Sequence, residues 1–220
     1  MPNIWLIRHG QAGDLLGDYD RLSDRGREQS RLAGVRARHI GEVAVVHTGA
    51  MKRHHQTREE FEAGFGPLPA AHVDPGWNEF DHQDVIRKAI AAGLEPPSNG
   101  RGRAAFSQFF FEAMGRWALG EHDDYVEPYA MFQARVERAL NGLVDQLGSG
   151  QTAMVFTSGG AISAVCRKLL DLQPQHAFEL NTVMVNTGLT RLRVGRGQVS
   201  LATLNSHPHF DERPELLTLS

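Results

Sequence analysis

The feature that most constrains the fold is a short apolar run, Ile4 to Ile7, which stops at the triplet Arg8-His9-Gly10. A run of this kind closed by glycine predicts a buried strand followed by a tight turn. In open α/β sheets, ligands bind in the crevice at the carboxyl ends of the strands. We therefore expect an arginine and a histidine together at such an edge, where an imidazole can attack and a guanidinium can hold an anion.

Further strands and helices follow this first strand in alternation. Residues 43–46 form a second apolar run and residues 152–156 a third, and each leads into a segment with helical periodicity. Such alternation predicts a parallel sheet with right-handed crossovers. Two last strand-like runs, 182–194 and 199–204, flank a Gly-Arg-Gly turn and predict a hairpin. The expected fold class is α/β, a three-layer sandwich in which helices flank a mostly parallel sheet.

The first helix has a clear predicted start. Ser23 is followed by Asp24, and this pattern is typical of a capped helix N-terminus with an acid at its positive end. Leu32, Val35 and Ile40 recur at helical spacing after that start. The sequence therefore predicts that these three side chains form the buried stripe of the helix.

We expect a single domain over residues 1–220, with one helical insertion or lid. Between residues 76 and 127 the strand pattern gives way to isolated helical stretches around a Pro-Pro-Ser-Asn-Gly break. Five large side chains in this stretch share helical spacing, which favours an amphipathic face packed on the body over an aromatic ligand box. They are Phe106, Phe109, Phe110, Met114 and Trp117.

The charge and cysteine content exclude several classes of protein. The formal net charge of -3 argues against broad affinity for nucleic acid, so an anionic substrate needs a locally positive pocket. The single cysteine, Cys166, excludes an intrachain disulfide framework. No cleavable signal precedes Ile4 and no apolar segment approaches the ~20 residues that span a membrane, so we expect no membrane association and a cytoplasmic location. The oligomeric state does not follow from the sequence.

Three predicted strand ends carry groups that suit phosphate. Arg8 and His9 follow the first strand, Arg53 comes shortly after the second, and Ser158 with Gly159 follows the third. The fork of an arginine matches two phosphate oxygens, and a glycine-led helix start offers unhindered amides at the positive end of its dipole. Two guanidinium groups can neutralise a phosphoryl group without a metal or another cofactor. His9 is then free to attack phosphorus in line and form a phosphohistidine.

The departing oxygen also needs a proton, and Glu79 is the candidate donor. Glu79 lies between Asn78 and Phe80, one residue after Trp77. A carboxyl group among aromatic side chains is partly desolvated and is easier to keep protonated near neutral pH. The same group can later activate water.

Three successive motifs resemble those of a known family. They are LIRHGQA at residues 6–12, LSDRGREQ at 22–29 and MKRHHQT at 51–57. Their ordered series is similar to that of the histidine phosphatase (phosphoglycerate mutase-like) superfamily. The resemblance implies a metal-independent phosphatase of the histidine acid type, acting on a small phosphorylated substrate, with His9 as the phosphate acceptor. It further implies that Arg8 and Arg53 clamp the phosphoryl group and that Glu79 donates the proton.

One position departs from this pattern. Where the superfamily usually has a second histidine followed by glycine, this chain has Ser158 and Gly159. A hydroxyl can donate to a phosphoryl oxygen but brings no positive charge, and that difference is about 1 to 2 kcal/mol. We expect weakened or retuned activity. A phosphate-binding or regulatory module without turnover stays open as the alternative, and His207 is a loop histidine that we do not assign to the site.

Three other functions receive less support. A nucleophilic serine at 158 would need glycine two residues earlier, where this chain has Phe156. The pairs His54-His55 and His207-His209 lack the cysteines or acids of a zinc site, so no metal is expected. A phosphoglycerate mutase is less favoured, because the Ser-x-Trp-Asn stretch of those relatives is absent after the Arg-His-Gly triplet.

Overall fold

The computed structural model describes residues 1–13, 20–97, 102–120, 124–195 and 197–219. Within these ranges six strands form one sheet: β1 (Asn3–Arg8), β2 (Val45–Thr48), β3 (Ala71–Val73), β4 (Thr152–Thr157), β5 (Leu189–Gly195) and β6 (Gln198–Ser206). Seven helices accompany them: α1 (Asp24–Ala37), α2 (Lys52–Phe65), α3 (His82–Ala91), α4 (Gly102–Leu119), α5 (Tyr129–Gln146), α6 (Gly159–Leu170) and α7 (Pro174–Thr182). In this part of the chain, no helix is both long and apolar enough to cross a membrane.

The sheet is mixed but mostly parallel, and its strand order is β3-β2-β4-β1-β5-β6. β3, β2, β4 and β1 pair in parallel, whereas β5 and β6 add to the edge as an antiparallel hairpin. The α/β class predicted from the sequence is confirmed. Because β1 and β4 are neighbours in the middle of the sheet, the residues after Arg8 and Thr157 emerge side by side at its carboxyl edge.

The two central strands bury both of their faces, which explains their continuous apolar sequences. Leu6 and Val155 belong to a core cluster shared with α5 and α6. Their chain neighbours Ile7 and Phe156 belong to a second cluster shared with α1 and α2. Since successive strand residues point to opposite faces, helices cover both sides of the sheet, and the fold has three layers.

The buried stripe predicted for α1 is wrong at Val35, whereas Leu32 and Ile40 are partly buried against core clusters, with Ile40 beyond the end of α1. Val35 is 49% exposed, and α1 instead buries its small and polar residues: Gly26, Gln29, Ser30, Ala33, Gly34 and Ala37. The physical reason is a close approach of α1 to α2, because a Cβ on Gly34 would collide with the carbonyl of Phe61 and one on Gly64 with that of Arg31. The predicted start of the helix is confirmed, since the Ser23 hydroxyl accepts the Gly26 amide proton.

The hairpin begins later than the sequence predicts. The sequence predicts a first strand over residues 182–194, but β5 starts only at Leu189. Residues 183–188 lie between the end of α7 and the start of β5. At Thr187 the backbone has φ 61°, a left-handed conformation that is rare for a β-branched residue and that ends any extended run. The predicted turn residue Arg196 lies outside the described residues.

The segment from residue 76 to 127 contains α3 and α4, and residues 98–101 and 121–123 of it lie outside the described residues. Phe109, Met114 and Trp117 are buried, whereas Phe106 is 53% exposed. The ring centroid of Trp117 lies 4.7 Å from that of Phe80. The inner face of α4 thus belongs to the main core.

Candidate active site

The structure brings the sequence-predicted site residues to the carboxyl edge of the parallel strands. Arg8 ends β1 and His9 follows it, while Arg53 lies in the first turn of α2, shortly after β2. Ser158 and Gly159 stand where β4 passes into α6. The His9 backbone amide donates to the Thr157 carbonyl at 2.8 Å, which holds the ends of β1 and β4 together.

His9 is buried as a neutral imidazole. Burial, together with the nearby guanidinium groups of Arg53 and Arg8, lowers the pKa of His9 well below its ordinary value. Its Nδ1 lies 2.8 Å from the carbonyl oxygen of Gly10, so a proton on Nδ1 is donated to that carbonyl. In this tautomer the lone pair is on Nε2. A neutral ring with a lone pair on Nε2 is the form that a nucleophilic histidine requires.

Arg53 supplies a buried positive charge beside His9. Its side chain is 6% exposed, and its Nη1 pairs with Oδ1 of Asp20 at 3.0 Å. The other oxygen of this carboxylate accepts the backbone N–H of Lys52, also at 3.0 Å. A buried guanidinium without a partner is costly, so Asp20 compensates it in this structure. A phosphate dianion that enters the site therefore competes with the Asp20 carboxylate, whose side chain is 34% exposed.

Arg8 is held by the C-terminal part of the chain. Its Nη1 donates to the carbonyl oxygens of Met184 and of Leu219, the latter at 2.7 Å. Its Nε lies 3.4 Å from the position that a Cβ would take on Gly159, and the same Cβ would collide with the Asn181 side chain. Any residue other than glycine at 159 would thus displace a neighbour. The Arg8 guanidinium therefore lies close to the start of α6.

Glu79 lies at the N-terminus of α6. Its Oε2 accepts the backbone N–H of Gly160 at 3.1 Å, and a side chain on Gly160 would collide with this carboxylate. His82, which begins α3, is near it: burial lowers the pKa of His82, with the Glu79 charge opposing and Arg53 reinforcing that shift. His82 was not predicted as a site residue from the sequence.

Arg135 of α5 fixes the turn that carries Glu79. Its Nη1 donates to the carbonyls of Asn78 at 2.9 Å and Gly76 at 3.1 Å, while its Nε pairs with the Glu127 carboxylate at 2.7 Å. A planar guanidinium bound in several directions at once is a rigid support. The position of Glu79 therefore depends on a helix more than fifty residues away in sequence.

Ser158 does not cap α6, although serine at this position commonly does so. Its side chain accepts no bond from the helix amides, and its Oγ lies 2.7 Å from Nε2 of His54. Both side chains are fully buried. The His54 ring lies 5.8 Å from the His9 ring, centroid to centroid. His54 was not predicted as a site residue from the sequence. The one available signal was the position of His54 directly after Arg53 on α2.

A polar loop behind β1 holds the backbone of His9. The Asn186 side-chain amide donates to the His9 carbonyl at 3.1 Å, and the Thr187 amide donates to the Arg8 carbonyl at 3.1 Å. The hydroxyl of Thr187 in turn contacts Nε2 of His209 at 2.9 Å. His209 thus supports the site through Thr187. The ring of His207 pairs with the local carbonyl of Asn205.

The burial of His209 makes a pH-dependent contribution to stability. Burial, with His207 and Arg36 nearby, lowers the pKa of His209 to about 4. In the unfolded chain the pKa of a histidine is about 6.5. The unfolded state therefore binds the proton more tightly than the folded state does. The free energy of unfolding falls as the pH drops from that value towards 4. When the pH is lowered from 7 to 4.5, the free energy of unfolding of the wild type should fall, and that of His209→Gln should fall by about 2 kcal/mol less.

The measurement is urea unfolding of both proteins at the two pH values, with the exposed His39→Gln as the matched control. The control should keep the wild-type pH dependence. Equal losses in the wild type and His209→Gln would contradict the assignment.

In the part of the chain that the structure describes, no three His, Cys, Asp or Glu side chains cluster as a metal site would require. A three-layer α/β sandwich with a histidine, two arginines and a carboxylate at the carboxyl edge of its sheet defines the class of phosphoglycerate mutase-like proteins. The chain belongs to the histidine phosphatase superfamily (branch 1), whose family profile matches residues 4–207.

Solved structures with this fold cover nearly the whole chain. Bacillus stearothermophilus YhfR is 20% identical, with 95% of this chain and 99% of that chain covered and a TM-score of 0.69. Entamoeba histolytica phosphoserine phosphatase, in complex with 3-phosphoglyceric acid, is 19% identical with the same coverage and a TM-score of 0.63. Mycobacterial glucosyl-3-phosphoglycerate phosphatase is 17% identical, with 93% and 98% covered and a TM-score of 0.65. No curated protein sequence matches the chain.

Proposed function

We propose that this protein is a phosphomonoester hydrolase that works through a phosphohistidine on His9 and requires no metal. The observation that carries the proposal is the buried, neutral His9 ring with its Nδ1 bound to the Gly10 carbonyl, beside the Arg53 guanidinium. Membership of the histidine phosphatase superfamily and the phosphatases among the structural neighbours support the same reaction class.

The first half of the reaction transfers the phosphoryl group to the protein. Nε2 of His9 attacks phosphorus in line, and the bond from phosphorus to the leaving oxygen breaks as the new phosphorus–nitrogen bond forms. Arg8 and Arg53 bind the non-bridging oxygens and offset their charge. The protonated carboxyl of Glu79 donates its proton to the leaving oxygen, which departs as an alcohol.

The second half releases phosphate. The Glu79 carboxylate takes a proton from a water molecule, whose oxygen attacks phosphorus as the bond to Nε2 breaks. Inorganic phosphate leaves, His9 returns to the neutral form and Glu79 is again protonated. The amides at the start of α6 add partial positive charge on the same side.

The substrate is a small phosphorylated molecule, and the segment 76–127 acts as a lid on its leaving-group side. Glu79 and His82 both lie near the start of this segment. Since Glu79 protonates the leaving oxygen, the start of the segment lies beside that oxygen. The core contacts of Trp117 anchor it to the body. Phosphoserine and phosphoglycerates are the first candidate substrates, because the structural neighbours include a phosphoserine phosphatase in complex with 3-phosphoglyceric acid and a glucosyl-3-phosphoglycerate phosphatase.

The test is phosphate release from p-nitrophenyl phosphate, phosphoserine and 3-phosphoglycerate, with a metal chelator present throughout. We expect at least one of them to be hydrolysed at an undiminished rate in chelator. Binding of inorganic phosphate without turnover of any ester would favour the regulatory module instead. Isomerisation of 3-phosphoglycerate without release of phosphate would indicate a mutase.

A further inference from the structure

We propose that His54 is a positioning residue that acts through the Ser158 hydroxyl on the transferred phosphoryl group, so that the two side chains together replace a histidine at position 158. The hydroxyl donates to a phosphoryl oxygen, while Nε2–H of His54 donates to the hydroxyl oxygen. This inference rests on the proposed role of His9, and it assigns a function to a residue that the mechanism above does not use.

The first support is the direction of the Ser158 side chain. A serine at a helix N-cap normally bonds to an amide of the first turn, which stabilises the helix. Ser158 does not make this bond, and the Gly160 amide is bonded to Glu79. The hydroxyl lies 2.7 Å from His54 instead. The local backbone thus leaves the hydroxyl to a partner from another element.

The second support is the location of His54. It is fully buried in the first turn of α2, next to Arg53, and its ring centroid lies 5.8 Å from that of His9 at an interplanar angle of 38°. Arg53 lies close enough to both imidazoles for its charge to lower the pKa of each. A phosphoryl group attached to His9 is therefore expected near both Arg53 and the Ser158 hydroxyl, which contacts His54.

The proton balance of this arrangement follows from the charges around His54. The groups that face it are Arg53 and His55 on α2, His9 after β1 and the Ser158 hydroxyl at α6. In the empty site, burial and Arg53 lower the pKa of His54 well below its ordinary value. A phosphoryl dianion reverses that field and raises the pKa, so His54 takes up one proton from solvent and returns it when phosphate leaves.

The first test compares His54→Gln, Ser158→Ala and the double variant, with p-nitrophenyl phosphate as the probe. Its leaving group needs no proton from Glu79, and Glu79 as the base for water makes the rate rise with pH, so a fall of the rate at high pH reports on His54. We expect each single variant to lower kcat roughly tenfold to hundredfold, the difference between charged and neutral donors in a dry site. The double variant should be no worse than the poorer single, because the pair acts as one unit.

The pH profile separates this role from a merely structural one. Glutamine at 54 can still donate to Ser158 but cannot titrate. In the wild type, kcat should fall as the pH rises through the pKa of His54 in the complex, and in His54→Gln this fall should be absent. His39→Gln, an exposed histidine that is not among the groups facing His54, is the matched control and should keep the wild-type rate and profile.

A swap provides the positive test. Ser158→His combined with His54→Ala moves one imidazole from α2 to the start of α6, and we expect kcat within about fivefold of the wild type. Ser158→His alone should not recover or exceed wild-type activity, because His54 already fills the space next to that side chain. Thermal melting of each variant shows that it is folded.

The outcomes distinguish the two proposals. If the wild type releases phosphate, His9→Ala does not, and His54→Gln and Ser158→Ala both stay within twofold of the wild type, this inference is wrong and the proposed function stands. If acid-stable phosphate is trapped on Ser158, the pair is a serine nucleophile with its base, and the inference is overturned. If no phosphate ester is turned over, the proposed function itself fails.

Discussion

Replacement of His9 by alanine is expected to lower kcat at least about a thousandfold on every phosphate monoester that the protein hydrolyses. Alanine has no atom that can accept the phosphoryl group, and water would have to attack without the covalent route. The exposed His39→Ala is the matched control and should keep wild-type kcat. The measurement is steady-state phosphate release over a range of substrate concentrations.

Binding and chemistry should separate in this variant. Arg8, Arg53 and the start of α6 are untouched, so calorimetry should give a dissociation constant for inorganic phosphate within about tenfold of the wild-type value. Loss of both turnover and phosphate binding would point to a collapsed site. Wild-type turnover in His9→Ala would remove the nucleophile from the mechanism.

The second large effect is expected for Glu79→Gln, and it should depend on the leaving group. Glutamine can still accept the Gly160 amide proton, so the geometry at α6 is kept while the transferable proton is lost. On phosphoserine, whose alkoxide leaves poorly, kcat/KM should fall about 100- to 10,000-fold. On p-nitrophenyl phosphate the loss of kcat/KM should be much smaller, because p-nitrophenolate leaves without a proton and kcat/KM does not include the later attack of water.

The ratio of the two kcat/KM values is the informative quantity for Glu79 as a proton donor. Arg135→Lys serves as its companion, because it loosens the turn that carries Glu79 without removing the carboxyl group. It should lower kcat/KM more on phosphoserine than on p-nitrophenyl phosphate, as Glu79→Gln does, but each loss should be smaller. Equal losses on both substrates for Glu79→Gln would contradict a proton-donor role.

Much of the fold was predictable because its information is local. Continuous apolar runs identify buried strands, and their punctuation by glycine marks the strand ends at Arg8 and at Ser158. Since the ends of parallel strands meet at one edge, the locations of His9 and Arg53 followed from the order of strands and helices alone. The α/β class was confirmed for the same reason.

The errors arose where tertiary contacts override local pattern. In α1, the close approach at Gly34 leaves room for small residues only, so the exposed Val35 does not follow the rule that apolar side chains are buried. The run at 183–185 looks like a strand, but the left-handed Thr187 and its bonds to the first strand end require a loop there. No periodicity encodes either contact.

The candidate site shows the same division. The role of His54 does not follow from local pattern, because its partner Ser158 is 104 residues away in the chain and the two side chains meet only in the folded protein. The clamp of Arg135 on the Glu79 turn is also long-range. The sequence therefore predicted the groups that we propose to contact the phosphoryl group, but not those that we propose to orient them.

The most direct test of the central claim is to trap the phosphorylated protein. The wild type is mixed with a phosphoserine or p-nitrophenyl phosphate substrate labelled in its phosphoryl group, stopped with alkali within the first turnover, and digested for peptide mapping. The account predicts an acid-labile, alkali-stable label on the peptide that contains His9, absent from His9→Ala. Phosphate release by the wild type with no label on His9 at any time in the first turnover would contradict it.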